Sequence, residues 1–451
     1  MKASAILLAL LLAAAGSARC AEPPAFKPVR SDKSYGYLRD TADRTGLDSL
    51  RYLPLGGDAY LSLGGEARLR VDAIDAPHFD IGSEQTDTFA LGRLLLSADL
   101  HLTQAVRVYG ELGFHRDIAK RDPSTALDRD DVDTQLLFMD VAPAAGWRIR
   151  LGRQELQLNS TQRFIAVRES PNIRQSFDGA RVTRTAGNLK LDGFYLQPVA
   201  LSPGAFDDTR NRTQRFYGLY TSTKLTPRHT LDVYLLGLER DRVRFGAITG
   251  DERRTSLGAH LAGTDGAVDY DVESVVQGGR FAGRRIRAFA ASAGGGYALD
   301  RPWKPRLGLR LDLGSGDKDP TDGQLGTFNP LFPKGAYFNE TGLMSWGNLL
   351  ALRSSLGLTP RRNVGLEASY TVHHLWTSAD AIYLQPLVPL APAGSDRSKA
   401  VGDAVQLDGA WQVNRNLKFQ AQLVHQAAEP AVRALGGRPV DLAVLFAQFR
   451  F

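Results

Sequence analysis

Arginine recurs at alternate positions along this chain, often with a carboxylate two or four residues away. Glu66, Arg68 and Arg70 form the first such series, and Arg93, Ser97 and Asp99 the second. Arg107 with Glu111, Arg148 with Arg150, and Arg181 continue it. Arg306, Arg310 and Asp312, then Arg353, then Lys418 with Gln420 and Gln422 follow later. A two-residue spacing puts side chains on one face of an extended strand. Each guanidinium is a planar fork of donors suited to carboxylates and phosphates. A face of such forks lining a pore lowers the barrier for anions. The same groups could instead pair across strands and stiffen a sheet. Asp269, Asp271 and Glu273 make one acidic stripe of the same spacing.

Catalytic patterns are missing. Neither Gly-x-Ser-x-Gly nor His-Glu-x-x-His occurs. His373 and His374 are adjacent, so in a strand they face opposite sides. The chain is therefore expected not to be an enzyme. No cofactor is expected either, with one exception. Asp317, Asp319 and Asp322, near Gly314 and Gly316, could hold calcium. Their spacing is not that of a known calcium loop, and a solvated turn is the simpler reading.

The elements that must carry the arginines read as β-strands. Beyond residue 50 the hydrophobic pattern has period two, and eighteen segments of transmembrane-strand length follow one another. Short links, such as Leu102-Thr103, Gly187 and Asp265-Gly266, alternate with long ones at 74–87, 116–131, 157–175, 199–212, 241–253, 315–346, 377–399 and 429–440. Only 280–283 breaks the rhythm. This asymmetry predicts an all-β fold, a transmembrane antiparallel β-barrel of about eighteen strands with short periplasmic turns and long extracellular loops. The apolar parity would face lipid and the charged parity the lumen.

Composition agrees. The 451 residues include 45 Gly and a single Cys, which excludes a disulfide scaffold. A soluble periplasmic binding protein would need an α/β alternation that is missing. Lys2, the apolar run 5–15 and the small residues Gly16, Ser17 and Ala18 form a secretory signal peptide. Cleavage fits after Ala18 or after Cys20, and Arg19 argues against a lipoprotein. The expected organisation is a signal peptide at 1–20, an N-terminal periplasmic segment at 21–58 and a barrel at 59–451. The final strand ends Leu445-Phe446-Ala447-Gln448-Phe449-Arg450-Phe451. Phe451 then resembles the terminal assembly signal of outer-membrane barrels. Expected partners are outer-membrane lipid and the barrel assembly machinery, with Sec-type export in a Gram-negative bacterium and no nucleic acid.

Three stretches add a resemblance. Residues 151–182 contain Leu-Gly-Arg-Gln-Glu-Leu, Arg163 and Val-Arg-Glu-Ser-Pro-Asn-Ile-Arg-Gln-Ser-Phe-Asp-Gly-Ala-Arg-Val. Residues 61–70 read Leu-Ser-Leu-Gly-Gly-Glu-Ala-Arg-Leu-Arg, and 91–100 read Leu-Gly-Arg-Leu-Leu-Leu-Ser-Ala-Asp-Leu. Together they resemble the alginate export family of outer-membrane porins, with Ser170 where that family would have Gly. The resemblance implies a monomeric barrel whose basic lumen passes an anionic polysaccharide without catalysis. It maps substrate-guiding roles onto Arg68, Arg93, Arg153, Arg168, Arg174 and Arg181, with Glu155 and Asp178 as acidic partners. Arg70, Arg107, Arg148, Arg150, Arg310 and Arg353 are further lumen candidates. An anion-selective porin for small carboxylated solutes fits the sequence as well.

Overall fold

The computed structural model describes residues 26–451, apart from 41–43, 45, 83–84, 246–247 and 392–397. The signal peptide and Cys20 lie outside the described residues. Eighteen long strands close into one antiparallel barrel. They are β1 Ala59–Asp75, β2 Asp87–His101, β3 Val106–Ile118, β4 Asp130–Val141, β5 Trp147–Gln154 and β6 Phe177–Ala186. Next come β7 Leu189–Ala200, β8 Gln214–Thr226, β9 His229–Phe245, β10 Ile248–Asp265, β11 Val268–Phe281 and β12 Arg284–Ala298. The last are β13 Arg306–Gly314, β14 Leu349–Arg361, β15 Val364–Leu375, β16 Ala400–Gln412, β17 Leu417–Gln426 and β18 Val440–Arg450. Each pairs with its chain neighbours. β1 also pairs with β18, placing Glu66 opposite Arg450 and Asp75 opposite Asp441. Closure removes the unpaired edges that an open sheet would present.

Alternation decides which face each residue takes. Leu96, Leu137, Leu219, Leu257, Leu309 and Leu445 lie between 42% and 60% exposed, on the outward parity of six strands. In water such a belt would be a liability, whereas in hydrocarbon it is the required surface. Short turns gather at one rim, and the long loops gather at the other together with the β9–β10 and β11–β12 hairpins. Gly187 and Gly266 take φ of 58° and 59° in two of the short turns, a conformation that costs glycine little.

One expected loop is strand instead. The link at 241–253 is mostly hairpin: β9 continues to Phe245 and β10 starts at Ile248, with Val243 opposite Gly250. The run Glu239-Arg240-Asp241-Arg242 is charged on both parities, which hides the two-residue period. Where a hairpin extends beyond an apolar belt, neither of its faces has to be apolar.

The largest apolar cluster includes residues inside the cylinder rather than on the lipid face. The loop between β5 and β6 and the loop between β13 and β14 fold inward together. The Ala166 amide donates to the Phe332 carbonyl at 2.9 Å, and the Phe332 amide to the Phe164 carbonyl at 2.9 Å. Phe164 packs edge-on to Phe328 and Trp346 at 5.3 and 5.1 Å, and Phe332 edge-on to Phe177 at 5.0 Å. These aromatic contacts fill the lumen towards the long-loop rim.

Candidate functional site in the lumen

Register places arginines directly opposite one another. Arg68 faces Arg93 across β1 and β2, Arg150 faces Arg181 across β5 and β6, and Arg310 faces Arg353 across β13 and β14. Like charges in such pairs repel, so each rung needs counter-charge close by. Most of it comes from carboxylates on the same strand or on a neighbouring one. Arg150 binds Asp140 at 2.7 and 2.9 Å, Arg181 binds Asp192 at 3.0 Å, Arg310 binds Asp312 at 2.7 Å and Arg353 binds Glu367 at 2.5 Å. Arg107 binds Asp99 at 2.5 and 2.9 Å, and Arg70 binds Asp72 at 2.6 Å and Glu340 at 2.6 Å. Asp271 and Glu273 of the acidic stripe take Arg163, and Asp269 takes Arg306.

Four carboxylates and four guanidiniums meet in one node. Arg93 donates to Glu66 at 2.8 Å and to Glu169 at 2.7 Å. Arg174 holds Glu155 at 2.5 and 3.0 Å and also reaches Glu169. Arg450 donates to Glu66 at 2.9 Å. The fourth cation arrives from outside the strands. Arg30 donates to Glu111 at 2.6 and 3.2 Å, and lies 3.9 Å from Glu66 and 3.8 Å from Glu155. Pairs this buried cost much to break, because the remaining charge is left without compensation.

Arg30 gets there because part of the segment expected in the periplasm tucks into the barrel. The Pro28 carbonyl accepts from Arg174 at 2.6 Å, the Ser31 carbonyl from Arg107 at 2.7 Å, and Lys33 lies over the Phe26 ring at 3.9 Å. Residues further on cover the short-turn rim, where Tyr52 stacks on Tyr60 at 4.6 Å and Tyr60 on His101 at 4.2 Å.

Space remains on one side. A cavity of ≈ 1040 Å³ is bounded by Phe26 and Pro28, by Arg68 and Arg70, by the 334–340 part of the inward loop, and by β17, β18 and the turns before β15 and β17. Arg68 turns to loop backbone rather than carboxylate, donating to the Glu169 carbonyl at 2.8 Å and to the Pro171 carbonyl. Lys334, Arg362 and Lys418 also border the cavity, and none of them is in an ion pair among the described residues. The amides Gln420, Gln422 and Gln448 line the same cavity. A smaller cavity of ≈ 290 Å³, shared by Lys334, Arg310, Arg353 and Tyr337, lies on the other side of Lys334.

The remaining sequence-predicted residues fall into separate places. Arg153 binds Asp178 at 3.0 and 3.2 Å near the long-loop rim. Arg168 sits in the inward loop with φ of 49° and makes no ion pair among the described residues. Burial alone lowers its guanidinium to about 10. Arg148 follows the parity of Arg150 but is exposed beside the β4–β5 turn. Phe451 exchanges backbone hydrogen bonds with Gly65 at 3.0 and 3.2 Å. Asp317, Asp319 and Asp322 are not brought together. Asp319 and Asp322 accept from amides of their own turns, while the Asp317 amide donates to Asp380. Among the described residues, the one group of three carboxylates within 4.8 Å is Asp133, Asp207 and Asp208. Sequence reading missed Arg30, Lys334 and Arg362, which lie outside the alternating segments and carry no periodic signal.

This architecture has known counterparts. The family model for alginate export matches residues 59–445. No curated protein sequence matches the chain. Among solved structures, Pseudomonas aeruginosa OpdK with vanillate is similar with a TM-score of 0.58 at 10% identity, over 86% of this chain and 98% of that one. P. aeruginosa OccK2 (OpdF) in complex with glucuronate gives 0.57 at 10% identity, over 87% and 98%. P. aeruginosa OccK8 (OprE) gives 0.56 at 12% identity, over 87% and 98%. At such identities the likeness concerns the fold. The family match spans most of the chain, and with the porin-type barrel it makes this an outer-membrane pore protein that belongs to the alginate export family.

Proposed function

We propose that this pore passes anionic saccharides, an alginate-like polyuronate or its oligomers, between periplasm and cell surface, without catalysis. One observation carries the reading: Lys334, Arg362 and Lys418 line the open cavity together with Gln420, Gln422 and Gln448, and none of the three cations is in an ion pair among the described residues. Free cations suit the carboxylates of a uronate, and amides suit its hydroxyls. Arg68 faces the same space. Arg93, Arg153, Arg174 and Arg181 act mainly by holding the wall, with Glu155 and Asp178 as their counter-charges. In this reading the short turns face the periplasm and the long loops the exterior. The barrel works as a monomer, reached by Sec-type export and by assembly machinery that reads Phe451.

A second reading, a porin for small carboxylated solutes, draws support from OccK2, a barrel of the same fold solved with glucuronate. Planar-bilayer conductance under a salt gradient, with and without added polyuronate, separates the two. Anion-selective current blocked by polyuronate is the expected result. Anion-selective current indifferent to polyuronate favours the small-solute reading. Cation-selective current overturns both.

A further inference from the structure

We infer that Arg30, supplied by the N-terminal segment, is a selectivity-determining residue of the pore. Its task is to cancel the charge of Glu111 and so keep the lumen beside the open cavity from turning acidic. The inference rests on the anion-pore reading above and adds to it a component that lies outside the barrel strands.

Glu111 is the key. Its side chain is 1% exposed, and Arg30 is its one cationic partner among the described residues. The other three carboxylates of the node have guanidiniums of their own. Glu66 has Arg93 and Arg450, Glu155 has Arg174, and Glu169 has Arg93 and Arg174. With Arg30 in place, four negative charges meet four positive ones. With Arg30 withdrawn, the balance falls to a surplus of one negative charge. That surplus would stand beside the open cavity, because Arg450, Glu169, Phe26 and Pro28 all border it. Burial opposes the Arg30 charge, but Glu111, Glu155 and Glu66 more than offset it and raise the guanidinium further above its ordinary value. Arg30 therefore remains a fixed cation.

The segment is also held by contacts that do not involve Arg30, among them Asp32 at 3.7 Å from Arg150, Asp48 at 3.2 Å from Arg415 and the Tyr52–Tyr60 stack. Pro28 and Ser31 offer carbonyls to Arg174 and Arg107, and Phe26 lies 5.9 Å from the Arg450 guanidinium. Position 30 thus controls the node more than the barrel wall.

The test uses the full mature chain in planar bilayers, with reversal potentials in potassium chloride gradients. Arg30→Gln should lower the anion-to-cation permeability ratio about fivefold, the effect of one unit charge a few ångströms from a passing ion. Arg30→Gln with Glu111→Gln should restore most of it, because the double variant removes equal and opposite charges. A merely structural role would raise conductance in Arg30→Gln, leave the ratio unchanged, and gain nothing from Glu111→Gln. That pattern overturns the inference. A wild-type pore without anion preference would instead overturn the underlying function, so the two failures are distinguishable.

Discussion

Along β1–β6 the inward arginines Arg70, Arg93, Arg107, Arg150, Arg153 and Arg181 each meet a carboxylate, and Arg68 meets loop carbonyls instead. Along β16–β18 the inward positions carry Gln406, Asp408, Gln420, Gln422, Gln448 and Arg450, and Lys418 is in no ion pair among the described residues. The first wall is dense in charge but nearly neutral, and two polypeptide segments are fastened to it. The second is sparse in charge: Arg450 is paired with Glu66, while Lys418 and Asp408 stand outside any ion pair among the described residues, and the wall faces open space. An electric field acts on a solute through unpaired charge, so counting arginines picks out the scaffold and not the path.

The largest effect that would break this contrast is on stability. Glu66→Ala leaves Arg93 and Arg450 without their shared partner and should cost about 3–5 kcal/mol. Gln448→Ala, on the sparse wall, should stay within about 0.5 kcal/mol. Urea unfolding, followed by the gel mobility of unheated samples, compares the two, and equal losses would erase the distinction.

Transport should show the reverse order. Lys334→Gln with Lys418→Gln should reduce the anion-to-cation permeability ratio several-fold while leaving unfolding midpoints unchanged. Arg153→Gln should do the opposite. If Arg153→Gln changed the reversal potential more than the double lysine variant, the roles of the two walls would be exchanged.

The smallest effect is on pH response, and it sharpens the picture of the first wall. Asp208 lies in the loop after β7, where the Ser202 amide donates to it at 2.8 Å and its own amide donates to Asp133 at 2.9 Å. Burial, and after it the Asp133 charge, raise Asp208 to about 6, although the Ser202 amide works the other way. The docked loop therefore holds a proton that the free chain would release near pH 4. Docking is strongest below pH 4 and weakens as pH rises through 6. Hydrogen exchange over residues 201–213, corrected for intrinsic rates, should quicken between pH 5 and 7 in the wild type. Asp208→Asn should show no such change, and a persistent change there would remove Asp208 as the cause.

The strands were legible because lipid on one side and water on the other force a two-residue alternation. Pairing was less legible. Which carboxylate meets Arg93 depends on register and on the path of Glu169 in a loop, and neither has a periodic signature. Lys334 and Arg30 were invisible for a related reason: each sits in an irregular segment whose destination is fixed only by the closed barrel around it. The hairpin at Val243 and Gly250 was hidden because alternation fades where the chain leaves the membrane. The resemblance carried the family and drew attention to residues 151–182, while the uneven use of charge became visible only with the side chains in place.

The seam between β1 and β18 also sets a timetable. Glu66 and Arg450 are separated by 384 positions, and Gly65 meets Phe451 beside them. At Gly65 any side chain would collide with the Leu95 carbonyl at 2.4 Å, so the final approach is narrow as well as late. Contacts so distant in sequence form slowly, because loop closure precedes any gain from them. Until the seam shuts, the growing sheet offers two bare edges to any neighbouring chain. A polypeptide cut short anywhere before β18 would keep both of those edges, making it a target for aggregation or clearance. Completion of the last strand is thus what removes both edges, a consequence separate from any part it plays in conduction.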